Sequence, residues 1–340
     1  MDNKDITAVI TSFKSETKIL NCVKSLGKDF NIIIIENSND KKLKEKLEKE
    51  YPNIKCILSD KNLGYAKGNN LGLTMVNTKY ALIINPDAEV QNKAIDNFFL
   101  TANKKPNFAI IAPFIQEKNN QESTMNKKNE IIEVKNVKGF AMFLNLEQCK
   151  DVGFFDENFF IYFEEIDFCR RLIQNNKKIF LDTNIKINHA GGTSHDESIN
   201  HEMEKSRNWH WMWSTFYFHY KHYGYFFAFI KILPKLFTSA LIKNMKEART
   251  KTYLAIIWKC LADPSLHCRQ PADDVLSIVD YADAGHGGWG CDVEISALEE
   301  HFHLGAQLHT FTIGQAESHV VVENSVHIFY PYSIYGTSTY

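Results

Sequence analysis

Carboxylates, amides and hydroxyls gather at the ends of aliphatic runs in this sequence. Thr11 and Ser12 close the first run, Glu36-Asn37-Ser38-Asn39-Asp40 the second, and Asn85-Pro86-Asp87 a later one. Further on, Glu164, Glu165 and Asp167 follow Phe159, Phe160, Tyr162 and Phe163. Carboxylates beside a dry aromatic surface are suited to having one pKa raised, and such a group makes a general base. Purely structural roles fit some of these residues too: acids that open a helix suit its dipole, Asn, Ser and Asp cap helices, and Asn-Pro-Asp makes a turn. The run Asn62 to Leu73 opens a helix with glycines at 64, 68 and 72. Glycines let a backbone come close to a ligand, and a helix N-terminus offers unpaired N–H groups to phosphate. Neither the Walker pattern nor GxGxxG is present, so spacing alone does not name the ligand.

The elements that must position these groups read as strand alternating with helix. Ile6–Phe13, Asn31–Asn37, Ile54–Asp60 and Tyr80–Asp87 are short β-branched or aliphatic runs ending in polar residues, as buried parallel strands do. Thr17–Leu26, Lys41–Glu50 (after the cap candidates Asn39 and Asp40) and Tyr65–Val76 are amphipathic and of helix length. The βαβ pattern predicts an α/β fold with a mostly parallel sheet flanked by helices. Ligands of such sheets bind beyond the carboxyl ends of the strands, where the polar residues stand. A further strand is expected at Asn184–Asn188, leading into Ile187-Asn188-His189-Ala190-Gly191-Gly192-Thr193-Ser194. A histidine at such a strand end is as readily a surface or capped residue as a ligand.

Three segments together resemble the rhamnosyltransferase-like branch of the family 2 (GT-A fold, Rossmann-like) glycosyltransferases. Residues 62–73 are similar to its N-x-G-[FY]-[AS]-x-G-N-N-x-G segment, and 152–171 to its G-x-F-D-E-x-F-F-x-Y-x-E-D-x-D-L-C-x-R block. Residues 187–194 are similar to its V-x-H-x-x-G-x-S stretch. The resemblance implies that Asn85-Pro86-Asp87 stands where such enzymes hold a metal, with Asp87 and His189 as ligands of Mg2+ or Mn2+. Asn85 in place of an acid implies modest metal affinity. Thr11, Ser12, Glu36, Asn37, Ser38, Asn62, Gly64, Lys67, Gly68, Asn69, Asn85 and Asp87 are then expected on the donor side. Gly139, Asp156 and Glu164 are expected on the acceptor side. In the family block an Asp follows the Glu and the pair supplies the base; here that second position is Glu165. Glu165 is therefore the expected base, with Glu164 and Asp167 in reserve.

The implied reaction is inverting transfer of a hexose to a hydroxyl of a cell-envelope glycan or lipid-linked saccharide. The donor would be dTDP-rhamnose, or alternatively a UDP-hexose or UDP-N-acetylhexosamine. A noncatalytic sugar-nucleotide-binding protein is the alternative that the departures at Asn85 and Glu165 leave open. No nucleic-acid partner is expected.

Charge divides the chain. The formal net charge is −2, but residues 1–252 hold 37 of the 39 Lys and Arg and 30 of the 41 Asp and Glu, while residues 253–340 hold 2 and 11. The break predicts a C-terminal segment over 253–340 of different character; before it, the resemblance implies a glycosyltransferase domain over 1–205, followed by an aromatic helical segment over 206–252. Trp209–Leu241 is dense in aromatics interleaved with Lys221, Lys231 and Lys235. It is expected either to lie at a membrane surface or to form a core-packing or dimer-forming helix pair. Seven cysteines without CxxC pairing and a charged start, MDNKDITAVI, predict a reduced, cytoplasmic protein, peripheral at the inner membrane face where it meets lipid. In the last part, residues 287–298 faintly resemble a segment of OTU-type cysteine proteases without its catalytic elements. Cys260, Cys268, Cys291 and His267 have irregular spacing for a metal site. That part reads as a truncated or joined fragment, with an OTU-like thiol hydrolase as the alternative.

Overall fold

A strand such as Asn31–Glu36, with four consecutive isoleucines, has no polar face to give to water, so it must lie inside a sheet covered on both sides. The computed structural model places it there. It describes residues 5–29, 31–91, 93–114, 130–189, 200–241, 313–316 and 319–322. The first half of the sheet is built from β1 (Ile6–Ser12), β2 (Asn31–Glu36), β3 (Ile54–Leu58) and β4 (Tyr80–Ile84), all parallel. Between them run α1 (Glu16–Leu26), α2 (Lys41–Glu50) and α3 (Gly64–Leu73). Asp40 caps α2 by accepting a hydrogen bond from the Leu43 N–H at 3.0 Å.

The second half mixes directions. After β5 (Ala88–Val90) and α4 (Ala94–Lys104) come β6 (Phe108–Pro113), β7 (Ile131–Glu133), β8 (Ala141–Asn145), α5 (Leu146–Cys149), α6 (Glu164–Gln174) and β9 (Lys178–Asp182). The sheet order is β3-β2-β1-β4-β8-β6-β9-β7, with β8 antiparallel to both β4 and β6, β6 parallel to β9, and β7 antiparallel to β9. Side chains alternate faces along each strand. Ile6, Ala8, Ile10, Leu82 and Ile84 therefore join one buried cluster, while Val9, Ala81 and Ile83 join the one on the opposite face. This is the mixed α/β sheet of the GT-A fold.

Three expected boundaries move. The fourth strand stops at Ile84, so Asn85 and Asp87 stand on the turn beyond it. The third helix ends at Leu73. The strand expected at Asn184–Asn188 is β10 (Ile187–His189), which leaves the main sheet and pairs antiparallel with β5.

The aromatic segment forms α7 (Asn200–Tyr223) and α8 (Tyr225–Leu241), joined through Gly224. The expected boundary between residues 205 and 206 falls inside α7. Met212, Trp213 and Phe216 pack with Ala228 and Ile232, and Phe218 joins the main core. Among the described residues no helix is long and apolar enough to cross a membrane. In the C-terminal segment only β11 (Ile313–Ala316) and β12 (His319–Val322) are described, paired antiparallel. The OTU-like run and Cys260, His267, Cys268 and Cys291 lie outside the described residues.

Candidate active site

The turn after β4 sets the first group. The Asn85 N–H donates to the Phe140 carbonyl (2.8 Å), and the Ala88 N–H returns to the Asn85 carbonyl (3.1 Å), which turns the chain through Asp87 into β5. Because β10 pairs with β5 and sets His189 opposite Ala88, the imidazole is delivered to Asp87. Nε2 lies 3.4 Å from Oδ1 of that buried carboxylate. The His189 ring stacks on Phe140 with centroids 4.5 Å apart. Residues about 100 positions apart in sequence thus form one polar pair, a hard oxygen and an imidazole nitrogen of the kinds that hold divalent ions.

The donor-side candidates surround the ends of β1 and β2. The Glu36 carboxylate accepts from the Ser38 N–H (3.1 Å), the Ser38 hydroxyl and the Asp40 N–H (2.7 Å), so it organises its own loop. The Ser12 hydroxyl pairs with Ser15 at 3.0 Å. Asn37 accepts from Ser59 (3.0 Å) and donates to the Gly64 carbonyl (3.2 Å), tying the strand end to the glycine segment. Asn62 accepts from the Gly64 N–H at 3.0 Å. Two glycines here have specific reasons. Gly64 has φ +75°, and a Cβ on it would lie 2.5 Å from the Phe160 carbonyl oxygen; one on Gly68 would lie 2.6 Å from Thr11 Cγ2. Asn69 donates to the Tyr65 carbonyl (2.9 Å), while Lys67 lies at the surface, 3.7 Å from Glu157.

The acidic group begins α6. Tyr162 and Phe163 precede it with φ of 74° and 68°, unusual for bulky L-residues and a mark of a segment held by its surroundings. Glu164 is buried and Glu165 half-buried. Burial, and for Glu164 also the neighbouring Glu165 charge, pushes both carboxyl pKa values up, Glu164 well above the usual range. Gly139 sits against them: a Cβ there would lie 3.4 Å from the Tyr65 hydroxyl and 3.5 Å from Glu165 Cβ. Tyr65 donates to the Gly139 carbonyl at 2.5 Å. Burial drives its phenol well above its ordinary range, and the charges of Glu164, Glu165 and Asp87 act on it in the same direction. Gly139 and Phe140 thus connect the two acidic groups, one touching Tyr65 and Glu165, the other stacked on His189.

Orphaned polar atoms mark the same region. Thr11 Oγ1, Asn69 Oδ1, Asn85 Oδ1, Glu164 Oε2 and Glu165 Oε2 are buried and have no hydrogen-bond partner among the described residues. Buried polar atoms are normally satisfied, and a polyhydroxylated, phosphorylated ligand with a cation has the donors these acceptors lack.

Asp156 and Asp167 are placed differently. Lys221 Nζ lies 2.7 Å from Asp156 Oδ2 and 2.7 Å from Asp167 Oδ1, bridging both to α7. Asp167 also receives Arg171 Nε (2.8 Å) and lies 2.9 Å from His222 Nε2. Asp156 receives the Tyr217 hydroxyl (2.9 Å) and the Asn158 N–H (3.0 Å). Burial opposes ionisation of Asp156, but Lys221 and these hydrogen bonds outweigh it and hold its carboxyl below the usual range.

Residues 7–169 match the family model described as Glycosyl transferase family 2. That stretch is 163 of the 340 residues, so the likeness to the family lies in the first half of the chain. The chain is 27% identical over 198 residues to the low-salt glycan biosynthesis hexosyltransferase Agl10 of Haloferax volcanii, covering 52% of this chain and 64% of that protein. It is 33% identical over 103 residues to a teichoic acid poly(glycerol phosphate) polymerase of Staphylococcus epidermidis, covering 28% of this chain and 14% of that protein. The chain therefore spans less than two thirds of either relative. In fold it is similar to the mannosyltransferase PcManGT from Pyrobaculum calidifontis, solved with GDP-Man and Mn2+, at a TM-score of 0.51 and 10% identity over 83% of this chain and 81% of that one.

Several residues of this region are not distinguished by the sequence. Tyr65 and Asn70 stand within the glycine segment without a spacing that singles them out; Asn70 accepts from the Phe155 N–H (3.1 Å) and donates to the Phe155 carbonyl (2.9 Å). Phe140 stands in an apolar stretch that gives it no local distinction. Lys221 and His222 carry no local signal, since their partners stand more than 50 positions earlier.

Proposed function

We propose that this glycosyltransferase moves a hexose from a nucleoside diphosphate sugar to a saccharide hydroxyl with inversion. The reading rests on one observation above all. The Asp87–His189 pair and the Glu164–Glu165 pair stand at the two sides of the Gly139-Phe140 strip, with Tyr65 under the charge of both groups.

In this reading Asp87 and His189 hold a divalent cation, Mg2+ or Mn2+, which when bound would offset charge on the departing diphosphate. Thr11, Asn37 and the glycine segment from Asn62 to Asn69 bind the nucleotide. Glu165 accepts the proton of the acceptor hydroxyl as its oxygen attacks the anomeric carbon from the side opposite the leaving diphosphate. Its raised pKa suits that task, because a base works best when its pKa approaches the working pH. Glu164, deeper and harder to ionise, keeps a second negative charge away from the attacking oxygen.

dTDP-L-rhamnose is the first donor to test, followed by UDP- and GDP-hexoses. The hexosyltransferase relative and the PcManGT complex with GDP-Man and Mn2+ support this donor class. Exposed Phe226, Phe227 and Ile230 on α8, with Lys231 beside them, support a lipid-linked acceptor met at the cytoplasmic face of a membrane.

The test is a thermal-shift screen of nucleotide sugars with and without MnCl2, followed by assay of released nucleoside diphosphate. Ligands of the native state raise its melting temperature. One nucleotide sugar should do so in a Mn2+-dependent manner that Asp87→Ala removes. A screen in which no nucleotide sugar shifts the wild type overturns the reading.

A further inference from the structure

We propose that Lys221 of α7 is a positioning residue for the transfer: its ammonium holds both ends of the segment from Asp156 to Asp167 and so sets where Glu164 and Glu165 stand against the Gly139-Phe140 strip. It rests on the transferase reading above and adds to it a residue from outside the stretch that the family model matches, residues 7–169.

Residues 156–163 form no helix or strand of their own, so they must be held from outside. Lys221 Nζ lies 2.7 Å from Asp156 Oδ2 at one end and 2.7 Å from Asp167 Oδ1 at the other, with the Phe159 ring centre 5.9 Å away between them. Ion pairs in open solvent contribute little, but these carboxylates are only 16% and 0% exposed, so water is a poor substitute for the ammonium. Tyr217 and Asn158 also meet Asp156, and Arg171 and His222 also meet Asp167; among the described residues only Lys221 meets both.

The turn that delivers the acids hangs between these two ends. The Phe160 carbonyl accepts from the Tyr65 N–H at 2.6 Å, and the Ile161 carbonyl from the Ser214 hydroxyl at 2.8 Å. Tyr162 and Phe163 then take positive φ, which L-residues of this size keep only where the surroundings impose it. Glu164 opens α6 directly afterwards, and Glu165 packs where a Cβ on Gly139 would lie 3.5 Å from its own Cβ. Freeing Asp156 and Asp167 from their common cation would let the strained turn relax, and the two carboxylates would move with it. A displacement of about 1 Å in a reacting group is enough to cost roughly a hundredfold in rate.

Carbon-13 NMR of the full chain carrying carboxyl-labelled glutamate tests the role without requiring turnover, with the two signals assigned through Glu164→Gln and Glu165→Gln. In the wild type both carboxyls should titrate above the ordinary range, as their burial requires. In Lys221→Met their proton affinity should fall roughly tenfold, because a displaced carboxylate gains water. The sign decides the matter, since losing a nearby positive charge without movement would raise proton affinity instead. Lys221→Arg, whose guanidinium can reach two carboxylates, should restore the wild-type titration. Turnover is the second readout, taken as nucleoside diphosphate released from the sugar nucleotide that passes the thermal-shift screen, with water as the acceptor and well below the lowest melting temperature. Lys221→Met should lower kcat roughly ten- to hundredfold with the donor KM within about twofold of wild type. Thr101→Val, which breaks a buried hydrogen bond to Asp182, controls for lost stability and should keep its kcat. Where transfer to water is too slow to read, the titration decides. The proposal is overturned if Lys221→Met titrates as the wild type does or higher, if Lys221→Arg behaves like Lys221→Met, or if Thr101→Val loses as much turnover. Should Lys221→Met fail to fold, Lys221→Gln takes its place; if neither folds, Lys221 serves stability and the positioning role falls. Because the titration needs no nucleotide, absence of nucleotide-sugar binding to the wild type would sink the transferase reading separately.

Discussion

Helix α6 carries two groups of acids in its first turn that the fold treats in opposite ways. Asp167, wholly buried, is surrounded by Arg171, Lys221 and His222, and Asp156 on the preceding loop shares Lys221 with it. Glu164 and Glu165, three and two positions earlier, each keep a buried oxygen without a hydrogen-bond partner among the described residues. The fold is evidently able to neutralise a buried carboxylate at this end of the helix, and it does so only for the acids that join α6 to α7. A cost in stability carried at adjacent positions, beside a site where it is avoided, is the pattern of groups kept for chemistry.

Breaking the unpaired side should have the largest effect. Glu165→Gln should lower kcat by roughly 10²–10⁴-fold while leaving the donor-induced thermal shift intact. A variant within threefold of wild-type turnover would move the base elsewhere. Breaking the paired side should act on stability: Asp167→Ala strands Lys221 and Arg171 and should cost roughly 3–5 kcal/mol in denaturant unfolding. If it costs nothing, the ion network is ornamental and the contrast with Glu164 disappears.

Acidity gives a finer test, because a buried base and buried acids respond with opposite signs. Burial pushes His210 down to about 3 from an ordinary 6.5, so its neutral form stabilises the fold above pH 6.5. That contribution is lost as pH falls, by about 2 kcal/mol between pH 7 and pH 5. His210→Phe should flatten this part of the stability–pH curve. Glu164 runs the other way: with its pKa raised in the folded state, its protonated form is tolerated at low pH and its ionisation destabilises the fold as pH rises. Glu164→Gln should therefore raise the melting temperature modestly at pH 8 and leave it unchanged at pH 4. A variant less stable than wild type at pH 8 would show that the charge is paired after all.

The first half of the sheet was legible because its strands are continuous apolar runs between amphipathic helices, and local pattern decides such elements. The second half was not. Phe108–Pro113, Ala141–Asn145 and Lys178–Asp182 are five or six residues long, and such short apolar runs fit a buried strand or a helix interior equally well. Their order in the sheet depends on long-range pairing that no local spacing records. The site divides in the same way. Asp87, His189 and the Glu pair stood out as polar residues ending elements, whereas Lys221 is one lysine among many in an aromatic helix until its two aspartates are seen around it.

Helix α7 also sets the smallest piece of this chain that can stand alone. A protein ended at residue 205 would leave Asp156 without Lys221 and Tyr217, and Asp167 without Lys221 and His222. It would also lay bare Phe160 and Phe163, which His210 and Phe218 now cover. Expression trials should therefore place the end of a minimal fragment beyond Tyr223, with the sheet core and its helical brace kept as one unit.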